Sequence, residues 1–175
     1  MVGPDVDTPS QSTNASSVKQ FSLSELLPRE RIKLDVRASD WQDAIREAGR
    51  LLFETDAVRI EYIDAMIKVA LELGPYIAIA PGIALPHAAA EAGAKRTALS
   101  LIKLAEPVAF GNPDNDPVRL VFGLAAIDNK AHITALQALA ELFTSKELME
   151  RLFHVESVDT VIELMQQAQQ MLLKR

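Results

Sequence analysis

Cysteine is absent from the 175 residues of this chain. Its absence excludes disulfides, thiolate catalysis and zinc sites with cysteine ligands. The nucleophiles that remain are histidine, serine, threonine, lysine and the carboxylates, and the chain has only three histidines. The motifs of a serine nucleophile elbow, a phosphate-binding P-loop and an HExxH metal pair are also missing. Because the histidines lie far apart in the sequence, we expect neither a metal nor a cofactor.

Excess positive charge and long apolar runs are lacking as well. The formal net charge is -6, whereas proteins that bind nucleic acid present basic surfaces. Charged residues or prolines interrupt every hydrophobic stretch before it reaches the length of a membrane span. We therefore expect no nucleic-acid partner and no membrane insertion. Together with the missing cysteine, this predicts a cytoplasmic protein.

The N-terminal segment differs in composition from the rest of the chain. Residues 1–20 lack the basic start and apolar centre of a signal peptide, and they are rich in Ser, Thr, Asn, Gln and Pro. Such a segment buries too little apolar surface to offset its ordering entropy. We predict a disordered tail over residues 1–22, with a transient docking segment as the alternative, and a single folded domain over residues 23–175.

The folded part is predicted to begin with one strand and two helices. Alternating apolar residues indicate the strand: Ile32, Leu34 and Val36. Ser39 is then expected to cap the first helix, with Gln42 completing a capping box. The apolar residues of that helix follow at helical spacing: Trp41, Ile45, Ala48, Leu51 and Leu52. The second helix, residues 60–73, is predicted to bury one face made of Ile63, Ile67, Ala70 and Leu71.

The middle of the chain has the character of β-structure. Four short stretches are strand-like: "YIAIA", "GIALP", "TALSLIKL" and "VRLVFGLAAI". The last is too continuously apolar for an edge, so it is predicted to be a central strand. Short connections favour some antiparallel pairing, and helices are predicted over residues 131–143, 146–153 and 157–173. The fold class is therefore α/β, with a mixed parallel and antiparallel central sheet between two layers of helices.

His87 ends the stretch "APGIALPH", which is rigid and apolar. Pro81-Gly82 is a turn signal that predicts a hairpin between the two short apolar segments. Pro86 fixes its own φ and biases Leu85 toward extended geometry, so the backbone entering the histidine has little freedom. Small residues follow and leave space on the far side of the ring. This arrangement favours a neutral imidazole with one nitrogen exposed for attack and the other held by a hydrogen bond. The alternative is a structural histidine at the end of a strand.

His132 lies in the first turn of a predicted helix that Asp128 or Asn129 could cap. It is in phase with apolar residues further along that helix, so it points toward the packed side of a helix start, where backbone N–H groups favour an anion. It also follows the last predicted strand, whose end is expected near the end of the strand before His87. Because histidine suits reversible phosphoryl carriage at neutral pH, His132 could donate a hydrogen bond to a phosphoryl group on His87. The alternative role for His132 is that of a buried cap residue. His154 is expected to be a surface residue between helices.

Together, "PGIALPH" and "AHITALQALAEL" resemble the fructose/mannitol-type (type-2) enzyme IIA domain of the bacterial phosphoenolpyruvate:sugar phosphotransferase system (PTS). Within that family, "GPYIAIAPGIALPHA" and "NDPVRLVFGLAAIDNKAHI" most resemble the ascorbate-specific branch. The resemblance covers approximately residues 32–171. It implies a mixed sheet between helices, in agreement with the pattern above.

The resemblance also implies a function and a site. In this family the motif histidine, matched by His87, accepts a phosphoryl group from the phosphocarrier protein HPr. It then passes the group to a cysteine of enzyme IIB, which serves the membrane enzyme IIC. The second histidine, matched by His132, stabilises the phosphoryl group. Because this chain has no cysteine, the resemblance implies a separate IIB, and a homodimer is left open.

One departure from the family pattern bears on the substrate. Mannitol-type members carry an Arg-Glu pair in the helix before the motif, near the position of Val69 and Ala70 here. The missing arginine favours an ascorbate-type substrate over mannitol or fructose. Two other functions are weighed: a regulatory IIA-like protein, in which phosphorylation of His87 controls a partner, and a binding module without phosphoryl chemistry.

Overall fold

The computed structural model describes residues 22–173. Its helices are α1 Leu23–Leu26, α2 Trp41–Glu54, α3 Glu61–Leu73, α4 Asn129–Thr144, α5 Lys146–Phe153 and α6 Val158–Leu173. Its strands are β1 Ile32–Val36, β2 Ala78–Ala80, β3 Ile83–Ala84, β4 Ala98–Val108 and β5 Val118–Ala125. The predicted tail lies outside the described residues except for Ser22, whose side chain caps α1 by accepting a hydrogen bond from the N–H of Glu25.

The five strands form one mixed sheet in the order β1-β4-β5-β3-β2. The pairs β1–β4 and β3–β5 are parallel, whereas β4–β5 and β2–β3 are antiparallel. This confirms the predicted mixed sheet. Strand β5 lies in the middle of the sheet, as its continuous apolar run predicted.

Helices cover both faces of the sheet, which confirms the predicted three layers. Because side chains alternate along a strand, neighbouring residues of β4 and β5 enter different cores. Leu101 and Phe122 pack in the core that includes residues of α1, α4, α5 and α6. Ile102 and Val121 pack on the opposite face, in the core with α2 and α3. All four side chains are fully buried, so a central strand must be apolar on both faces.

The start of α2 differs from the prediction by one residue. The N-cap is Asp40, whose carboxylate accepts a hydrogen bond of 2.8 Å from the N–H of Asp43. Asp43 in turn accepts one of 2.9 Å from the N–H of Ser39. The side chains that cap this helix start are therefore those of Asp40 and Asp43, and the predicted capping box of Ser39 and Gln42 is wrong. A carboxylate at this end also interacts favourably with the helix dipole.

The buried face of α3 was also predicted incorrectly at its edges. Leu71 is 61% exposed, and Tyr62 and Met66 are fully buried. The buried face of α3 includes Tyr62, Met66 and Ala70, which are spaced four residues apart. This rotation of α3 brings the Tyr62 hydroxyl to the Leu124 carbonyl oxygen in β5.

The turn at Pro81-Gly82 joins β2 and β3 as the predicted hairpin. Gly82 has a φ of +78°, a conformation that favours glycine. A Cβ at this position would also approach the Phe153 ring to 3.1 Å. Because β3 and β5 are parallel, their carboxyl ends lie at the same edge of the sheet. The chain segments that follow these two strands therefore start close together. Within residues 22–173, no helix combines the length and apolar character needed to cross a bilayer.

Candidate functional site

His87 lies at the sheet edge just described, beyond the end of β3. Its backbone forms an isolated parallel bridge with Leu124 in β5. The N–H of Leu124 donates a 3.0 Å hydrogen bond to the carbonyl oxygen of Pro86. The strand pairing thus extends past Pro86, which cannot itself donate to the ladder. The result is a fixed backbone at His87.

The His87 imidazole is held by its own chain. Its Nδ1 lies 2.9 Å from the carbonyl oxygen of Leu85. A carbonyl oxygen only accepts hydrogen bonds, so Nδ1 carries the proton in this contact. In the neutral ring, Nε2 then keeps its lone pair. The sequence predicted this combination of one held and one free nitrogen.

His132 is placed by the start of α4. The helix is capped by Asp128, one of the two predicted cap residues, whose carboxylate accepts a 2.7 Å hydrogen bond from the N–H of Ala131. His132 follows in the first turn, and its own N–H donates to the carbonyl oxygen of Asp128 at 3.0 Å. The ring therefore sits beside the positive end of the helix dipole, where an anion is favoured.

The structure brings the two histidine rings together. Their centroids are 5.4 Å apart and their planes are tilted by 53°. Burial, and to a lesser extent the charge of His87, lower the pKa of His132 from its ordinary value of 6.5. His132 is therefore mainly neutral at neutral pH as long as no anion lies beside it.

The two rings share an open pocket of about 430 Å³. Its lining consists of small or apolar residues, two carboxylates, one amide and the two histidines: Val69, His87, Ala88, Ala89, Ala90, Glu91, Ala126, Ile127, Asp128, Asn129 and His132. None of these described lining residues is a lysine or an arginine. Val69 occupies the wall where the family pattern suggested an arginine. An anion in this pocket would have His132 and the N–H groups at the start of α4 as its donors.

Tyr62, which was not predicted from the sequence, supports the backbone of the site. Its hydroxyl contacts the backbone of Ala88 and of Leu124. Burial raises the pKa of Tyr62 to about 12, so the hydroxyl remains a hydrogen-bond donor at physiological pH. The four-residue spacing of Tyr62, Met66 and Ala70 could have shown that the ring is buried. It could not have shown what the hydroxyl contacts.

The third histidine is apart from this pocket. His154 is exposed, and its Nδ1 lies 2.8 Å from the carbonyl oxygen of Glu150 in the preceding helix. Its prediction as a surface residue is confirmed. Across residues 22–173, no group of three or more His, Asp or Glu side chains is arranged to hold a metal ion.

A mixed sheet between helices, with two histidines at one strand edge, is the arrangement expected of the enzyme IIA class of phosphotransferase components. Comparison with known proteins agrees. The family described as "Phosphoenolpyruvate-dependent sugar phosphotransferase system, EIIA 2" matches residues 25–168. The chain belongs to this family, and it is thus a phosphotransferase component.

The chain is similar to relatives that are named for two different substrates, mannitol and ascorbate. The mannitol-specific cryptic phosphotransferase enzyme IIA component of Escherichia coli (strain K12) is 40% identical over 136 residues, which cover 77% of this chain and 91% of the relative. The ascorbate-specific PTS system EIIA component of the same strain is 35% identical over 134 residues, which cover 76% and 87%.

A solved complex is also similar. It contains the Escherichia coli mannitol enzyme IIA with its phosphorylated enzyme IIB. The match has a TM-score of 0.70 and 35% identity, and it covers 78% of this chain and 94% of that chain. An enzyme IIB is therefore the supported kind of partner for this family.

Proposed function

We propose that this protein is a cytoplasmic phosphoryl carrier and that residues 23–175 form its single domain. His87 accepts a phosphoryl group from phospho-HPr and passes it to a cysteine of a separate enzyme IIB. One observation carries the proposal: the Nδ1 contact of His87 with Leu85 leaves Nε2 as the nucleophilic nitrogen at the shared pocket. The Nε2 lone pair attacks phosphorus, the P–N bond of the donor breaks, and its electron pair returns to the donor imidazole. Such a transfer depends mainly on positioning and electrostatics.

His132 supplies the electrostatic part of the proposal. A phosphoryl group on His87 would bring negative charge close to a ring whose centroid is 5.4 Å from that of His87. This charge raises the pKa of His132, so that the ring becomes a charged donor to a phosphoryl oxygen. Glu91 and Asp128 also line the pocket, and their carboxylates would repel the same group. A site with one charged donor and two opposing carboxylates can hold a phosphoryl group briefly and release it.

We propose an ascorbate-type sugar as the substrate of the system, imported by the membrane enzyme IIC that the IIB serves. The presence of Val69 in the pocket wall supports this choice, because the mannitol-type pattern has an arginine near that position. The ascorbate-specific relative supports it as well. The mannitol-named relative, with 40% identity, makes mannitol the competing outcome.

The test is transfer from the phosphorylated protein to purified IIB proteins of the ascorbate and mannitol systems. We expect transfer to the ascorbate-type IIB to be faster than transfer to the mannitol-type IIB. The His87→Gln variant is the control, and it should transfer no phosphate to either IIB. Faster transfer to the mannitol-type IIB would contradict the substrate assignment. Phosphorylation of His87 without transfer to any IIB would contradict the carrier role and support the regulatory alternative.

A further inference from the structure

The Tyr62 hydroxyl lies at the point where the chain leaves the sheet after His87. The residue is fully buried. The hydroxyl accepts a 3.0 Å hydrogen bond from the N–H of Ala88 and donates one of 2.8 Å to the carbonyl oxygen of Leu124. The carbonyl oxygen of Ala88 is 3.1 Å away. A single oxygen atom thus joins α3, β5 and the segment that follows the histidine.

The hydroxyl contacts both partners of a hydrogen bond that belongs to the parallel pairing of His87 with Leu124. In a parallel ladder, a bridge between His87 and Leu124 pairs the Pro86 carbonyl with the Leu124 N–H, and the Leu124 carbonyl with the Ala88 N–H. The first bond is present at 3.0 Å. The Tyr62 hydroxyl bridges the two groups of the second bond, since it accepts from the Ala88 N–H and donates to the Leu124 carbonyl oxygen. The pairing with β5 ends at the His87 bridge, and residues 88–91 form a wall of the pocket.

We infer that Tyr62 is a positioning residue for phosphoryl transfer. It fixes the backbone at Ala88, directly after His87, and thereby the direction of the His87 ring. The inference rests on the proposed function of His87. Leu124 holds Pro86 directly and Ala88 through Tyr62, so the histidine is fixed on both sides. The hydroxyl is buried beneath the pocket, which means that it cannot contact a partner protein.

The test uses the full chain and two matched variants, because the protein has two tyrosines. Tyr62→Phe removes the buried hydroxyl and keeps the ring in the core. Tyr76→Phe removes the same atom from a side chain that is 78% exposed. Single-turnover phosphorylation is measured against the concentration of phospho-HPr. A second series uses phosphoramidate, a small donor that phosphorylates imidazole without a partner protein.

We expect Tyr62→Phe to lower the maximal rate roughly five- to tenfold with either donor, the effect of losing about one net hydrogen bond from the positioned state. The phospho-HPr concentration at half-maximal rate should stay within about twofold of wild type, since a buried residue does not touch the donor. The ¹⁵N spectrum of His87 should change from one tautomer to a mixture of two. Tyr76→Phe should match wild type in all three measurements.

An unchanged maximal rate and tautomer in folded Tyr62→Phe would overturn the inference, even if the melting temperature fell. If Tyr62→Phe does not fold, hydrogen exchange of the Ala88 amide in the wild type decides: strong protection supports the contact, and exchange at the rate of an open chain overturns it. If phospho-HPr fails as a donor for the wild type, the proposed function fails. The phosphoramidate and ¹⁵N results would still decide the role of Tyr62.

Discussion

The two imidazoles of the pocket are held in different ways, and this difference predicts different effects of their removal. His87 is fixed through its own Nδ1 and the strand bridge to Leu124. His132 is placed by the capped start of α4 and faces the shared pocket. We therefore expect loss of His87 to abolish phosphorylation, and loss of His132 to leave an acceptor that works less well.

The size of the His132 effect follows from one hydrogen bond to a charged oxygen, which is worth roughly 1.5–3 kcal/mol. If His132→Ala loses that bond from the transition state, single-turnover transfer should slow roughly ten- to 150-fold. His154→Ala is the matched control, because it removes an exposed histidine. A lower melting temperature with unchanged transfer would show that His132 is only a cap residue.

The lowered pKa of His132 also predicts a pH dependence of stability. In the unfolded chain this histidine titrates near its ordinary value of 6.5, whereas burial and then the charge of His87 lower its pKa in the folded protein. Between the two values the unfolded chain binds more protons, so the free energy of unfolding falls as the pH falls through this window. Above about pH 7 the contribution is constant.

Urea unfolding from about pH 5 to pH 8 checks this dependence. We expect His132→Gln to show a smaller loss of stability toward low pH than wild type, and His154→Gln to follow wild type. An equally steep loss in His132→Gln would contradict the assignment of the lowered pKa to His132. Phosphorylation of His87 should move the pKa of His132 in the opposite direction, which histidine NMR titration would detect.

Two helices begin with the same capping chemistry in different surroundings. Asp128 caps α4 next to the histidine pocket, and Asp40 caps α2 through the N–H of Asp43. Loss of either carboxylate should cost about 1 kcal/mol of stability. Only the first turn of α4 carries His132, however. Asp128→Ala should therefore also change transfer, whereas Asp40→Ala should not.

Unfolding and single-turnover transfer measured on both variants separate the two contributions of Asp128. The loosened turn slows transfer, while removal of a carboxylate from the pocket lessens repulsion of the phosphoryl group. We expect the loosened turn to dominate, giving a several-fold slower transfer, because a misplaced donor loses its geometry. Equal transfer rates in Asp128→Ala and Asp40→Ala would contradict a role of the α4 start in transfer.

At the level of elements, the sequence predicted what local patterns determine. The hairpin at Pro81-Gly82, the central position of β5 and the cap at Asp128 were all predicted and are confirmed. The prediction of the buried α3 face was wrong at its edges. Apolar periodicity does not fix the rotation of a helix when residues on adjoining faces are also apolar. The contact of the Tyr62 hydroxyl with Ala88 and Leu124 depends on that rotation and on strand pairing, so no local pattern contained it.

At the scale of the whole molecule, the parallel pairing of β3 and β5 accounts for the site. It places the segment after β3, with His87, beside the segment after β5, which leads into α4 and His132. The sequence suggested that the two histidines would meet, since each follows a predicted strand. The distance and tilt of the rings required the sheet order β4-β5-β3 and the packing of α4 on one face.

The N-terminal segment is predicted to be dispensable for phosphoryl transfer. Residues 1–20 are poor in apolar residues and rich in polar ones, and the described residues that line the pocket lie between Val69 and His132. Deleting these residues should leave the rates of transfer from HPr and to IIB unchanged. A tenfold slower transfer by the truncated protein would show that the segment docks a partner.

The measurement that tests the central claim most directly is the intact mass of the protein after incubation with phosphoenolpyruvate, enzyme I and HPr. We expect one added phosphoryl group that is lost in acid, as a phosphorus–nitrogen bond would be. ¹⁵N NMR of the product should place it on Nε2 of His87, because Nδ1 is held by Leu85. His87→Gln should gain no mass. A normal mass increase in that variant would contradict the assignment of His87 as the phosphoryl acceptor.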